Sequence, residues 1–193
     1  MNIYRVSYND LDNIFELYKK VSSINTGNLT QFPNEIYKNY IKNEIFENAL
    51  NLGLCTVVKD NNNKVIGLMK AYTSEYKALA HIMTNTTIMI HPDYQNHGYG
   101  KKMVETFLKI ITDEMQHIYM LEIVPHANNL RALDFYLKNN FKIESKTTNR
   151  ILTQNNTMVD EVKMIWENPN FDYNKLLEYH KYCAEYLKRK YNE

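Results

Sequence analysis

The stretch Ile88-Met89-Ile90-His91-Pro92-Asp93-Tyr94-Gln95-Asn96-His97-Gly98-Tyr99-Gly100 joins a run that reads as a strand to one that reads as a helix. The strand lies within His81 to His91, which ends in the β-favouring Thr86-Thr87-Ile88-Met89-Ile90; Pro92 then removes a backbone donor and stops it. Met103, Val104, Phe107, Leu108 and Ile111 recur at helical spacing and predict a helix over Gly100 to Glu114. A strand that enters a helix through two glycines leaves the first N–H groups of that helix without intrahelical partners and aimed one way. Such a start is an anion site, so Gln95, Asn96, His97, Gly98, Tyr99 and Gly100 are expected to wrap a pyrophosphate. His97 is expected to contribute its backbone N–H more than its ring. Lys101 and Lys102 follow; successive helical residues point to different sides, so one is expected to meet a phosphate and the other water.

Outward from this stretch, Ile3 to Ser7 reads as a short strand, and Asp10 is expected to cap a helix carrying Leu11, Ile14, Tyr18 and Val21. Ser22 to Gln31 is polar and loop-like, and Pro33-Asn34 opens a second helix with Ile36, Tyr40, Ile41 and Ile45. Leu54 to Lys59 and Val65 to Tyr72 form a predicted hairpin turned by Asp60-Asn61-Asn62-Asn63. Ile118 to Val124 reads as a buried strand, and Leu130, Leu133, Tyr136 and Leu137 as one face of a helix ending near Asn139. Phe141 to Ser145 and Val159 to Trp166 are two closing strands. The order is α+β, with a mixed sheet of about six to seven strands flanked by helices.

No repeat or linker divides the chain, so one domain over residues 1–167 and a C-terminal helical extension over 168–193 are expected. In the extension Asp172 precedes a helix with Leu176, His180, Cys183 and Leu187 on one side and Tyr179, Tyr182 and Tyr186 on the next. Aromatic stripes at helical spacing are usually buried, so this helix reads as a packing element or as the arm of a homodimer.

A hydrophobic content of 44% over 193 residues suffices for a core, which sets disorder aside. A net charge of +1 creates no field that would recruit nucleic acid or an anionic membrane, and neither partner is expected. No apolar run approaches the roughly 20 residues that span a bilayer. Met1-Asn2-Ile3-Tyr4-Arg5 lacks the apolar segment of a signal peptide, so a cytoplasmic protein is expected. Cys55 and Cys183 have no metal or redox spacing and read as buried thiols. His91 and His97 flank Asp93 without a further ligand at the usual spacing, so no metal is expected.

The element order and three motifs resemble the GNAT superfamily of N-acetyltransferases over about Asn2 to Glu167. Ile88 to Gly100 is similar to the family's strand followed by its Gln/Arg-x-x-Gly-x-Gly/Ala loop. Asn129, Ala132 and Tyr136 match the spacing of its Asn-x-x-Ala-x-x-x-Tyr helix, and Tyr8-Asn9-Asp10-Leu11-Asp12-Asn13-Ile14 resembles the acidic start of its first helix. Two departures stand out. Asn140-Phe141 replaces the usual Gly-Phe, where Asn can still supply a left-handed helix cap. The turn from Ile123 to Asn128 is long, so Asn128 and Asn129 compete for the motif position.

The resemblance implies transfer of an acetyl group from acetyl-coenzyme A to an amine of a small molecule or a peptide. It also implies that the backbone of Ile88, Met89 and Ile90 binds the pantetheine arm and thioester oxygen, and that Asn129 helps to hold the cofactor. Amine attack on a thioester needs a deprotonated amine, a polarised carbonyl and a proton for the departing thiolate. Tyr136 is the candidate acid; against this, it lies beside Leu133 and Leu137, where a packing role would be ordinary. Glu122 interrupts the apolar run Ile118 to Val124 and is the candidate base, directly or through water. Alternatively, it lies at the strand's open end and meets water or a lysine.

The acceptor is not legible: Glu35, Glu44 and Glu47 would suit a cationic amine, but Lys38 and Lys42 among them fit a solvated helix face. Two other classes are a non-catalytic acyl-CoA-binding module and a nucleotide site of another α/β fold. The latter is weakened because no Gly-x-Gly-x-x-Gly or Gly-Lys-Ser/Thr follows the strand.

Overall fold

The computed structural model describes residues 2–24 and 29–192. Residues 25–28, part of the stretch read as a loop, lie outside the described residues. Seven strands, β1 (Ile3–Arg5), β2 (Gly53–Lys59), β3 (Val65–Thr73), β4 (Ile82–Ile90), β5 (Met120–Ile123), β6 (Lys142–Leu152) and β7 (Met158–Glu167), form one sheet. Their order is β1-β2-β3-β4-β5-β7-β6. The β4–β5 pair is parallel and the other neighbours are antiparallel. The α+β mixed sheet expected from the sequence is therefore present.

Among the described residues the α-helices are α1 (Leu11–Ser22), α2 (Lys38–Lys42), α3 (Leu50–Leu52), α4 (Tyr99–Glu114), α5 (Leu130–Lys138) and α6 (Tyr173–Tyr191). Because strand side chains alternate between faces, the sheet supports two cores. On one face Met103, Phe107 and Ile111 of α4 pack on Met69, Leu121 and Met164. On the other, Ile14, Leu17 and Tyr18 of α1 pack with Ile45, Phe46, Leu68 and Met89.

Local chemistry departs from the sequence reading in four places. Asp10 holds the N-cap position of α1 but gives that helix no side-chain hydrogen bond: its carboxylate accepts from the Ser7 N–H (2.9 Å) and hydroxyl (3.0 Å) and pairs with Lys59 at 2.7 Å. The second helix starts later than Pro33, since Pro33–Glu35 is a lone 3₁₀ turn and Ile36 is extended. That extended residue buries its own side chain before α2 begins. Between α2 and α3 the chain winds as a π-helix over Asn43–Ala49, a local widening often found at functional sites. Finally, the closing hairpin is longer than expected, with β6 reaching Leu152 and β7 starting at Met158. Most of β6 is exposed, so no burial period marked it.

One irregularity reshapes β4. Lys70 pairs with Thr87 but Tyr72 with Thr84, so β4 carries one extra residue, and Asn85 there has φ 52°. The bulge turns the Asn85 carbonyl onto the Lys70 ammonium at 3.1 Å.

α6 lies on its own chain. The Tyr182 hydroxyl donates to the Asn51 carbonyl at 2.8 Å and that of Tyr186 to the Glu47 carbonyl at 3.3 Å. Cys55 and Cys183 are both buried thiols. No described helix is long and apolar enough to cross a membrane.

Candidate active site

β4 and β5 share only two ladder pairs, Ile82 with Met120 and Met83 with Leu121. Past them the Thr86 hydroxyl donates to the Glu122 carbonyl at 2.6 Å, and the strands then part. The cause lies in their other neighbours: β4 stays zipped to β3 as far as the Gly67–Ile90 pair, while β5 follows β7. A cavity of about 910 Å³ opens in the gap, with Ile88, Met89 and Ile90 on one wall and Glu122 and Ile123 on the other. Ile88 and Ile90 send their side chains toward the α4 core and Met89 toward the α1 core. What β4 turns to the cavity is therefore largely backbone.

At the end of β4 the chain makes a 3₁₀ turn, Pro92–Tyr94, in which the His91 Nδ1 accepts from the Asp93 N–H at 3.3 Å. The Gln95 amide donates to the Ile90 carbonyl at 3.2 Å. Asn96 (φ 66°) and Gly98 (φ 80°) then adopt left-handed conformations. Gly98 is the N-cap of α4 and offers no side chain to the first-turn N–H groups; they face outward as an anion site. Gln95, Asn96, Gly98, Tyr99, Gly100 and Lys101 line the cavity.

His97 and Lys102 are outside that lining, and the His97 ring instead contacts the Gln95 carbonyl at 2.7 Å. Of the two lysines, Lys101 is the one on the cavity side.

Sequence reasoning missed Arg131. It lines the same end of the cavity, and its guanidinium donates to the Asn96 side-chain oxygen at 2.5 Å. A cation in the first turn of a helix opposes the helix dipole. That mismatch, two residues after Asn129, was legible in the sequence.

The competition between Asn128 and Asn129 resolves in favour of Asn129: it is the N-cap of α5, and its side-chain oxygen accepts from the Ala132 N–H at 3.1 Å. Asn140 takes φ 64° beyond the other end of α5 and so fills the place of the glycine. Between these caps Tyr136 stands half-buried on the cavity wall, its ring against Phe135 (5.3 Å between centroids) and Phe141 (5.4 Å). Burial raises the pKa of its phenol above the ordinary tyrosine range, so it is protonated at neutral pH.

Glu122 meets a lysine. Lys163 sits 2.9 Å from its carboxylate and 2.8 Å from that of Glu144. Glu144 and then Glu122 hold the Lys163 ammonium above the usual lysine range.

Glu44 does not belong to a solvated helix face. The π-helical stretch presents it to the sheet, where it takes the Lys70 ammonium at 2.6 Å and the Tyr72 hydroxyl at 3.1 Å. Glu44, Lys70, Glu122 and His126 all border the cavity. Among the described residues no group of three or more His, Cys, Asp or Glu side chains stands where it could hold a metal ion.

Residues 51–143 match the model of the acetyltransferase (GNAT) domain. No curated protein matches the chain by sequence. Several solved structures share its fold. A GNAT-family acetyltransferase from Streptococcus pneumoniae is 17% identical, with a TM-score of 0.74 over 86% of this chain and 98% of that one. A phosphinothricin acetyltransferase from Sinorhizobium meliloti, in complex with acetyl-CoA, is 15% identical, with a TM-score of 0.75 over 86% and 88%. Spermidine N-acetyltransferase from Vibrio cholerae, in complex with CoA and spermine, is 17% identical, with a TM-score of 0.69 over 88% and 96%. The match to the acetyltransferase (GNAT) domain spans the parted strands, the glycine turn and the capped helix, and the chain shares the fold of these acetyltransferases over most of each structure.

Proposed function

We propose that this chain is an N-acetyltransferase that passes the acetyl group of acetyl-CoA to a primary amine of a small molecule or peptide by direct attack. The observation that carries the reading is a single cavity running from the glycine turn, along the open edge of β4, to the charged side chains around Glu44 and Glu122. In this reading the pyrophosphate rests on the N–H groups from Gln95 to Gly100, with Lys101 alongside, and Asn129 sets the start of α5 against it. The backbone of Ile88 to Ile90 takes the pantetheine arm and the thioester oxygen, where donors fixed in advance stabilise the charge that develops on attack.

The chemistry then falls to two positions. The amine nitrogen forms a bond to the thioester carbon, the carbon–sulfur bond breaks, and Tyr136 supplies the proton that the thiolate takes. The ammonium must first lose a proton to a base on the acceptor side, where Glu122 stands. We assign this work to residues 1–167 and treat 168–193 as an extension that braces the π-helical stretch carrying Glu44.

The test is a screen of acetyl-CoA with polyamines, aminoglycosides, amino acids and peptide N-termini, with thiol release and acetylated product both measured. Product with at least one class supports the reading. Tight CoA binding with silence across the panel supports a non-catalytic acyl-CoA-binding module instead.

A further inference from the structure

We propose that His126 is the group that takes the proton from the acceptor amine, in place of Glu122. The inference rests on the acetyl-transfer reading above and deepens it.

Glu122, Lys163, Glu161 and His126 share one face of the sheet. Glu122 is paired with Ile165, which puts Lys163 two residues along β7 on the same side, and His126 forms an antiparallel bridge with Glu161. Leu121, Ile123, Val162 and Met164 fill the opposite face, in the α4 core. The ionisable side chains that border the cavity on the acceptor face therefore include Glu44, Glu122 and His126. Both carboxylates are already committed, Glu44 to Lys70 at 2.6 Å and Glu122 to Lys163 at 2.9 Å. Either can accept a proton only by giving up its ion pair.

His126 stands differently. The charged group facing it is Glu161 on β7, which favours the imidazolium once formed; Glu122 and Lys163 lie further along the same face. On its other side it shares a small recess with Thr30 and Phe32 of the α1–α2 connection and Thr153 and Gln154 of the β6–β7 turn, none of which is ionisable. His126 is 9% exposed, and burial lowers its pKa below the ordinary histidine range, so the ring is neutral at pH 7 and holds a free lone pair.

Its backbone is fixed on both sides. Val162 donates to the Pro125 carbonyl at 3.0 Å, and the Ala127 N–H donates to the Asp160 carbonyl at 2.8 Å. The small recess, of about 20 Å³, lies toward the β6–β7 turn. The ring thus stands between the reaction cavity and that recess, a position from which a proton can be passed on.

Two protons leave the nitrogen overall. The first passes from the ammonium to the His126 imidazole and on to water, which frees the lone pair that attacks the thioester. The second is lost as the amide forms and balances the one that Tyr136 gives to the thiolate.

The experiment measures kcat/KM against pH for wild type, His126→Gln and Glu122→Gln with an amine found by the screen. His126→Gln is expected to lose about 10²-fold at pH 7, with CoA affinity unchanged. Its deficit should shrink at high pH, where the amine arrives already deprotonated. Glu122→Gln should keep the acid limb. The midpoint of that limb must also match the titration of the His126 ring protons in wild-type protein followed by NMR, a measurement that needs no variant.

A His126→Gln enzyme that retains the wild-type acid limb, a deficit that is constant with pH, or a mismatched NMR midpoint overturns this assignment alone. Silence of the wild type toward every amine overturns the acetyl-transfer reading and this assignment with it.

Discussion

The Lys70 ammonium lies 2.6 Å from the Glu44 carboxylate, with the two side chains only 3% and 15% exposed. Neither charge stands alone: Lys70 also donates to the Asn85 carbonyl, and Glu44 accepts from Tyr72 and Asn48. Removing the lysine leaves a carboxylate and a carbonyl without their cation in a largely dry place, which typically costs about 3–5 kcal/mol. Lys70→Met is therefore expected to lower Tm by about 10 °C in thermal denaturation. Adding Glu44→Leu should recover much of that loss, since an apolar pair is tolerated where a lone charge is not. A single variant as stable as wild type would show that the pair contributes nothing.

Gly98 makes a separable prediction about the anion site. Its φ of 80° suits glycine, yet a Cβ built there meets no atom within 4 Å. Gly98→Leu should therefore fold, with a strain cost of about 1–2 kcal/mol from the left-handed backbone alone. The side chain would, however, project where the phosphates approach the first turn of α4. Calorimetry is expected to show CoA binding lost from a folded protein; unchanged affinity would remove the pyrophosphate assignment.

Tyr136→Phe isolates the acid. The ring contacts with Phe135 and Phe141 survive the change, so packing is nearly untouched. Turnover is expected to fall by about 10²-fold while CoA affinity stays the same. Undiminished kcat would leave Tyr136 with packing alone.

The fold was legible because its signals are local: the apolar spacing of α4, the β-favouring runs of β2 and β3, and the turn chemistry of Asn63 and Asn140, both at positive φ. The anion site was legible for a related reason, since glycines between a strand and a helix have a backbone consequence that needs no partner. Glu44, Lys163 and His126 were harder. Glu44 reaches the cavity through a π-helical winding that ordinary helical spacing does not anticipate. Lys163 and His126 matter through β5–β7 register, which pairs residues 35 to 47 positions apart. β6, exposed over nearly all its length, carries no burial period and is held by its ladder to β7. Side chains that act across strands are set by register, and register is a property of the assembled sheet.

The last prediction concerns acid stability and the seat of α6. The His117 ring stacks on Tyr179 of α6 with centroids 4.0 Å apart, and its Nε2 is buried without a hydrogen-bond partner among the described residues. Burial pushes its pKa down to about 4. In the unfolded chain a histidine takes its proton near pH 6.5. Above that pH both states are neutral and the packing is fully available. As pH falls from 6.5 toward 4 the unfolded state gains a proton that the folded state refuses, so stability is lost across that window and levels off below it. The loss amounts to about 2 kcal/mol, allowing for the part of the ring that still meets solvent. His117→Phe keeps the stack and removes the titration. Chemical denaturation at pH 7.5 and pH 4.5 should show wild type losing more stability than His117→Phe, because the shared carboxylates contribute equally to both proteins and cancel. Equal losses would mean that His117 does not stay neutral beneath α6.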